Sequence, residues 1–371
     1  MTVNVSDGNI SRMSPDEWRN LGEMAWSSEY GGLLVIGDAM RAMQDRRDQI
    51  WCVTDDGQAR HVTNDLNRYY GLSVAADGKT IATVQVEDPL NIWLVPAAVS
   101  SERILPHPAP LPRQITFGSG RYYTPSWMPD GRIITDSDTG GKREIWIISG
   151  EVQAQQLTTR DLKNLVPLIT PDGRNLITLS SRSGRLNIWR SDLGESNSVQ
   201  LTYGEIDNWP ALSSDGKTIY YESRTGGNWT IWKVGVEGGR APEQLTSAGN
   251  AGSPVPSPDG KFLAYRLSAN PPERSGIVVV TADRLKPVRT FDLPTTAGGL
   301  IRWAQGGTAI TFVDDRSGAS EIWSQPLSGQ RARQLTDFRE GRIFSFNWSP
   351  DGKNLVVTRG SKASDVVLLS R

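Results

Sequence analysis

The sequence predicts an all-β protein, a β-propeller built from four-stranded antiparallel blades. Three short patterns recur in a fixed order along the 371 residues: an Asp-Gly dipeptide, an aliphatic residue followed by Trp, and a closing aliphatic-Thr dipeptide. The same interval of 43 residues separates Trp146 from Trp189 and Trp189 from Trp232. A repeat of about 44 residues that contains four short strands is typical of one propeller blade.

The Asp-Gly pattern marks the first hairpin of each unit. Glycine adopts positive φ without a steric penalty and Asp hydrogen-bonds to nearby backbone, so this dipeptide favours a tight turn. Gly306-Gly307 takes its place once, and Glu29-Tyr30-Gly31 is a degenerate copy. The six full copies are Asp77-Gly78, Asp130-Gly131, Asp172-Gly173, Asp215-Gly216, Asp259-Gly260 and Asp351-Gly352.

The aliphatic-Trp pattern lies in the third strand of each unit. A propeller needs large apolar side chains between neighbouring sheets, so we expect these indoles to act as wedges in the core. Ile277-Val278 and Val366-Val367 fill the same place without Trp. The six Trp-containing copies are Ile50-Trp51, Ile92-Trp93, Ile145-Trp146, Ile188-Trp189, Ile231-Trp232 and Ile322-Trp323.

The closing dipeptide marks the short fourth strand. Alternation along a half-buried strand predicts that its aliphatic residue packs inwards and its Thr points outwards. The copies are Val62-Thr63, Ile115-Thr116, Leu157-Thr158, Leu201-Thr202, Leu245-Thr246 and Leu335-Thr336.

The order of these patterns predicts one domain over residues 1–371 with eight blades, or seven if the weak first unit folds irregularly. The last unit ends without a fourth strand, whereas residues 3–13 resemble the end of a unit. We therefore predict that the N-terminal strand within residues 3–13 completes the last blade and closes the ring, which removes exposed sheet edges. The predicted blades end near residues 63, 116, 158, 202, 246, 293, 336 and 371.

Composition and missing motifs exclude several functions. The formal net charge is −1, so the chain has no positive field that would attract nucleic acid. The sequence contains no run of 18 apolar residues, so it predicts no membrane-spanning segment. One cysteine excludes an intrachain disulfide. The sequence has no Gly-rich phosphate loop, no nucleophile elbow and no His pair at metal-ligand spacing, so we predict neither catalysis by this chain alone nor a cofactor. Asp-rich turns offer calcium-type ligands, but no run matches a calcium loop.

The register of the units predicts a binding site at the mouth of the propeller, where the loops that enter the innermost strands converge. Arginines and aromatic residues on a concave surface favour an anionic small ligand, a peptide or a protein partner, bound by a monomer. The alternative is that these side chains only cap strand ends in solvent. Counting ten and eight residues back from the turn glycines gives Arg68, Tyr70, Arg121, Tyr123, Lys163, Asn208, Arg342 and Phe344, with Trp209 beside them.

The Asp-Gly turn, the Ile-Trp strand and the closing Leu-Thr together resemble the TolB-type, WD-repeat-like propeller repeat, most clearly over residues 128–158, 170–202, 213–246 and 347–360. Residues 60–93 are similar to the propeller that forms the C-terminal sensor region of some bacterial Ser/Thr protein kinases and winged-helix regulators. This resemblance implies a non-catalytic sensor or interaction module, part of a larger signalling protein and located outside the cytoplasm; any kinase activity would belong to the parent protein.

Two other functions fit the same repeat. One is a hydrolase or lyase with its active site in the funnel. The other is the gating propeller of a serine peptidase, whose catalytic domain this sequence does not contain.

Overall fold

The computed structural model describes residues 2–3, 6–7, 10–11, 18–39, 48–96, 111–150, 153–158, 164–194, 196–247, 249–268, 275–293, 297–316 and 319–370. They form β-strands and one short 3₁₀ helix, Gln305–Gly307, which confirms the predicted all-β class. All strand pairs within the sheets are antiparallel, and most sheets have four strands, as expected for propeller blades.

The strands follow one another as short elements joined by tight turns. In chain order they are β1 (Thr2–Val3), β2 (Ile10–Ser11), β3 (Trp18–Ser27), β4 (Gly32–Ala39), β5 (Gln49–Val53), β6 (Ala59–His61), β7 (Arg68–Val74), β8 (Thr80–Glu87), β9 (Leu90–Pro96), β10 (Arg113–Gln114), β11 (Ser126–Trp127), β12 (Ile133–Ser137), β13 (Glu144–Ser149), β14 (Gln153–Gln156), β15 (Asn164–Ile169), β16 (Asn175–Ser180), β17 (Asn187–Asp192), β18 (Val199–Gln200), β19 (Asp207–Leu212), β20 (Thr218–Thr225), β21 (Asn228–Gly235), β22 (Glu243–Gln244), β23 (Asn250–Pro256), β24 (Phe262–Ser268), β25 (Gly276–Thr281), β26 (Pro287–Asp292), β27 (Ala297–Trp303), β28 (Ala309–Asp314), β29 (Glu321–Pro326), β30 (Arg333–Gln334), β31 (Arg342–Trp348), β32 (Asn354–Gly360) and β33 (Ala363–Ser370).

The chain divides into two compact units, where the sequence predicted one domain. Unit 1 comprises Met1–Pro89 and Ser361–Arg371, and unit 2 comprises Leu90–Gly360. Unit 1 holds the four-stranded sheet β3-β4-β5-β6, the three-stranded sheet β33-β8-β7 and the β1-β2 pair. Its core contains Leu34, Ile50 and Ile81, each with no exposed surface.

Unit 2 contains six four-stranded sheets. Five are consecutive in sequence, β11 to β14, β15 to β18, β19 to β22, β23 to β26 and β27 to β30, and the sixth has the order β10-β9-β32-β31. The innermost strands β11, β15, β19, β23, β27 and β31 contact one another in a closed cycle. Unit 2 is therefore a ring of six sheets around a common centre, with its apolar core between successive sheets.

The ring closes differently from the prediction. Strands β31 and β32 continue into β9, with Val357 opposite Trp93, and not into an N-terminal strand. β9 is the third strand of this sheet, and its Ile92 is fully buried. Ile92 thus takes the core position that Val366-Val367 of β33 was expected to fill. Strand β33 pairs instead with β8.

The N-terminal residues do not complete this sheet. In that segment Thr2–Val3 pairs with Ile10–Ser11, and the remaining residues of 3–13 lie outside those described, apart from Ser6 and Asp7. Eight sheets of three or four strands are present in the described residues, but six of them close a ring by themselves. The count of eight blades in one ring is thus not confirmed.

The turns form as predicted. The Asp172 carboxylate accepts a hydrogen bond from the Arg174 N–H at 3.1 Å, and Gly173 has φ of 74°. The Asp215 carboxylate accepts one from the Lys217 N–H at 3.1 Å. The Thr170 hydroxyl donates to Asp172 and the Ser213 hydroxyl to Asp215. These hydroxyl bonds, followed by the backbone bonds, lower the pKa of both aspartates because they stabilise the carboxylate form.

The aliphatic-Trp and closing Thr residues take different places from those expected. The aliphatic partner is the core residue, since Ile188 and Ile231 are fully buried. The six indoles are half-buried, and three of them, Trp93, Trp189 and Trp323, lie under a guanidinium, with that of Arg182 4.8 Å from the Trp189 ring. The prediction that the closing Thr points outwards is wrong, because Thr202 has no exposed surface.

Candidate functional site

Two of the predicted site residues, Arg68 and Tyr70, belong to unit 1. Arg68 Nη2 lies 2.6 Å from the Asp88 carboxylate, so its charge is balanced within the protein. Tyr70 is 40% exposed, and its ring centroid lies 6.0 Å from the Arg68 guanidinium carbon. This pair is a small exposed cation-aromatic group at the start of β7.

Arg121 and Tyr123, in unit 2, converge on a single buried carboxylate. Arg121 Nε lies 3.0 Å from Asp138 Oδ2, and the Tyr123 hydroxyl donates to the same oxygen at 2.9 Å. Asp138 has no exposed surface. The Arg143 guanidinium lies 3.6 Å above the Tyr123 ring and pairs with buried Asp136 at 2.5 Å. These contacts give Arg121 and Tyr123 a structural role in the segment that leads into β11.

The remaining predicted residues have separate surroundings. Asn208 lies opposite Glu222 in the pairing of β19 with β20, and Trp209 lines the central cavity described below. Arg342 is exposed and lies 3.5 Å from Asp315. Phe344 is 49% exposed, and Lys163 lies outside the described residues. Since Arg68, Arg121 and Arg342 each pair with an aspartate, most of the positive charge of the predicted site is balanced within the protein, and anion binding there stays a prediction.

A cavity of about 510 Å³ lies at the centre of the unit 2 ring. Each of the six innermost strands contributes the residue five positions before its turn glycine, and we call this set the central layer. The position is equivalent in every strand, so the six side chains encircle the cavity at one level. The central layer consists of Ser126, Leu168, Ala211, Val255, Arg302 and Asn347.

Proline-containing bulges shape the wall of the cavity. Three residues that precede a proline have positive φ: Val166 at 51°, Trp209 at 45° and Ser253 at 51°. At each of them the register of the innermost strand shifts, which is the signature of a β-bulge. All three residues line the cavity, as do the prolines that follow them. A non-glycine residue with positive φ costs free energy, and such positions concentrate at functional sites.

One charge faces the cavity. Among the described lining residues Arg302 is the single ionisable side chain. Its Nη1 donates to the Ile301 carbonyl at 2.8 Å. Although the cavity leaves part of the side chain accessible, the surrounding protein is dense enough that burial lowers the pKa of Arg302 to about 10. The guanidinium is nevertheless fully protonated at neutral pH.

Asn347 occupies the neighbouring position of the central layer. Its side-chain carbonyl accepts a hydrogen bond from the Trp348 N–H at 3.0 Å, which fixes the orientation of the amide. The other members of the layer are small or apolar, with Leu168 across the ring from Arg302. The cavity therefore has one polar, positively charged side and one apolar side.

The sequence analysis missed Arg302 and Asn347 because it counted ten and eight residues back from the turn glycines. Counting five residues back from each turn glycine would have identified both, because that position lies within the innermost strand. No group of three or more His, Cys, Asp or Glu suited to hold a metal occurs in the described part of the chain. A helix long and apolar enough to cross a membrane is likewise absent from those residues.

These features define a β-propeller with a central cavity. Comparison with known proteins identifies the type of repeat: the family model described as TolB beta propeller domain matches residues 109–250. This part of the chain is thus similar to the TolB β-propeller domain. The match covers the strands from β10 to β22.

Curated relatives and solved structures include TolB proteins with similarity in sequence or in fold. An uncharacterized protein of Agrobacterium fabrum is 26% identical over 234 residues, which is 62% of this chain and 67% of the relative. The Tol-Pal system protein TolB of Francisella tularensis is 26% identical over 148 residues, 40% of this chain, and the alignment spans only 34% of that protein.

Two solved structures share the fold. A putative TolB from Agrobacterium tumefaciens has a TM-score of 0.59 and 18% identity, with 74% of this chain and 99% of that chain covered. TolB from Acinetobacter baumannii has a TM-score of 0.53 and 14% identity, with 95% and 81% covered.

Proposed function

We propose that this chain is a non-catalytic binding propeller whose ligand, or the segment of a partner protein, enters the central cavity of unit 2. The cavity itself carries the proposal. Its volume of about 510 Å³ falls within the range of about 300–1,000 Å³ that is usual for ligand sites. Its wall combines indoles and prolines with a few polar groups, the composition that such sites share.

Catalysis would need a different set of side chains. General acid-base chemistry uses a pair of titratable groups within reach of the substrate, and Arg302 is the single ionisable group in the described lining. No specific observation on the described residues favours the hydrolase, lyase or peptidase-gating alternatives. Binding without turnover is therefore the function that this cavity supports best.

The location and parent protein that we propose rest on resemblance. The relatives named TolB favour a protein-interaction role, and we propose a place outside the cytoplasm for this chain as well. A role as the sensor region of a larger signalling protein rests on the similarity of residues 60–93 alone.

Filling the cavity tests the proposed function. Purified protein would be screened by thermal shift against organic acids, neutral amides, peptides and sugars, and a ligand at 100 times its dissociation constant stabilises by about 2.7 kcal/mol. Ala211→Trp places an indole in the central layer and should abolish the shift. The control Val199→Trp puts the same side chain on the outer strand β18. A ligand that stabilises Ala211→Trp and the parent protein equally would place its site elsewhere and contradict the proposal.

A further inference from the structure

We infer that the cavity recognises a carboxylate through Arg302, and that its ligand is a small organic monocarboxylic acid with an apolar or aromatic body. This inference rests on the proposed function and names the class of ligand. It is carried by the position of one guanidinium in a cavity whose other described lining residues carry no charge.

Arg302 has no counter-ion among the described residues, in contrast to three arginines of the same ring that pair with buried aspartates. Arg121 pairs with Asp138, Arg143 with Asp136 and Arg316 with Asp314, and all three aspartates are fully buried. The Arg302 side chain instead makes one hydrogen bond in the described structure, to the Ile301 carbonyl. Enclosing a cation without an anion is unfavourable, so a ligand that brings one negative charge would restore the pairing found elsewhere in the ring.

The donors around this position suit a carboxylate. A guanidinium presents parallel N–H groups whose spacing matches the two oxygens of a carboxylate. One positive charge balances a monoanion, whereas a phosphate dianion would leave unbalanced negative charge inside the ring. Among the described lining residues there is no lysine and no second arginine that would offset it. The Asn347 amide, next to Arg302 in the central layer, offers further polar contacts for the acid.

The opposite wall sets the character of the rest of the ligand. Leu168, Ala211 and Val255 complete the central layer on the apolar side, and the indole of Trp209 lines the same space. On the side of Asn347, the Trp348 indole also lines the cavity, and its Nε1 donates a hydrogen bond to the Thr311 hydroxyl at 3.1 Å. An acid with an aliphatic chain or an aromatic ring would bury its body here while its carboxylate reaches Arg302.

Matched acids and amides test the inference. Isothermal titration calorimetry would compare indole-3-acetate with indole-3-acetamide and hexanoate with hexanamide. The parent protein should bind at least one acid ten times more tightly than its amide. Arg302→Gln should remove this preference, and Arg302→Lys should retain part of it. Arg240→Gln, which removes an exposed arginine of the same unit away from the cavity lining, should leave it unchanged.

The remaining outcomes separate the inference from the proposed function. If acid and amide bind the parent protein equally and Ala211→Trp blocks both, the cavity is a binding site but the carboxylate inference is wrong. Equal displacement by inorganic phosphate, or no binding by any of these acids, would also overturn the inference. A melting curve checks the variants: Arg302→Gln should melt no lower than the parent protein, since it removes a charge without a buried counter-ion. A large loss of stability would show that Arg302 is a structural residue.

Discussion

The Thr202 hydroxyl accepts a hydrogen bond from the Ile188 N–H at 2.9 Å and lies 2.5 Å from Asp207 Oδ2, to which it donates. The closing Thr of one sheet thus satisfies the backbone of the aliphatic-Trp strand beside it. The same bond recurs at 2.7–3.0 Å in the pairs Thr63 with Ile50, Thr116 with Ile92, Thr158 with Ile145, Thr246 with Ile231 and Thr336 with Ile322. In each of these units the aliphatic residue of the aliphatic-Trp pattern donates its N–H to the hydroxyl of the closing Thr, so the two patterns are linked by one hydrogen bond.

Removal of this hydroxyl should destabilise the ring. Thr202→Val keeps the shape of the side chain but leaves the buried Ile188 N–H and the Asp207 carboxylate without this partner. An unsatisfied buried polar group costs about 1–3 kcal/mol, and we expect a loss of that size in urea unfolding.

Thr246→Val is the matched control for this substitution. Thr246 accepts the same bond from Ile231, but it is less buried and no carboxylate bonds to its hydroxyl in the described structure. We expect a smaller loss there. Equal losses at both positions would mean that the Asp207 contact contributes nothing.

The turn glycines should differ in their tolerance of alanine. Gly216 has φ of 69°, and an added Cβ would lie 2.5 Å from Pro171 Cδ. Gly173 has φ of 74°, but nothing lies within 4 Å of its added Cβ. Gly173→Ala should therefore cost only the backbone term of about 1–2 kcal/mol. Gly216→Ala should cost more, and urea unfolding of the two variants would show the difference; equal costs would mean that Pro171 moves aside freely.

The repeat was predictable from sequence because each of its parts is local. Asp172 and Gly173 favour a turn independently of distant parts of the chain. Ile188 lies in a short strand whose apolar pattern predicts its burial without reference to distant residues. Ring closure is not local. The connections β8 to β9 and β32 to β33 are both two residues long, Asp88-Pro89 and Ser361-Lys362, so the local pattern permits either pairing. The choice between them depends on packing across the whole ring, which periodicity does not report.

The site was predictable only in part, for a similar reason. Arg121 and Tyr123 lie a few residues before β11, and the pattern could not show that Asp138 already neutralises Arg121. Trp209 was the one predicted residue that lines the cavity. Arg302 lies in a unit without Asp-Gly, where Gly306-Gly307 forms the turn, so its register was the hardest to read.

Glu222 should make stability depend on pH. Its side chain is 8% exposed and accepts a hydrogen bond from the Ser253 N–H at 2.8 Å, and burial raises its pKa above the usual value. A carboxylate with a raised native pKa binds more protons when folded, so stability falls as pH rises above the unfolded value of about 4.3. Glu222→Gln keeps an acceptor for Ser253 and removes the buried charge.

The gain from Glu222→Gln should therefore be small near pH 4, grow as pH rises through the native pKa, and then level off. Urea unfolding at several pH values from 4 to 8 would measure it. The exposed substitution Glu243→Gln in the same sheet corrects for the general effect of removing a carboxylate. A gain that does not change with pH would contradict the role assigned to Glu222.

The pairing of β33 with β8 can be tested directly by a disulfide. Gln85 and Asp365 are register partners, and opposite residues of antiparallel strands lie about 4.5–5.5 Å apart at Cα, within the range of a disulfide. Gln85→Cys combined with Asp365→Cys should therefore crosslink under mild oxidation, as seen by non-reducing gel mobility and peptide mass analysis. Native Cys52 is fully buried and should not compete.

The out-of-register pair Gln85→Cys with Ser370→Cys is the control, since Ser370 faces Thr80 at the far end of the strand. It should remain reduced under the same conditions. In a ring of consecutive units β33 would instead follow β32 into the last sheet, and Gln85 would lie away from Asp365. Failure of the first pair to crosslink, with both variants folded by circular dichroism, would therefore favour the ring of consecutive blades over the six-sheet ring closed by β9.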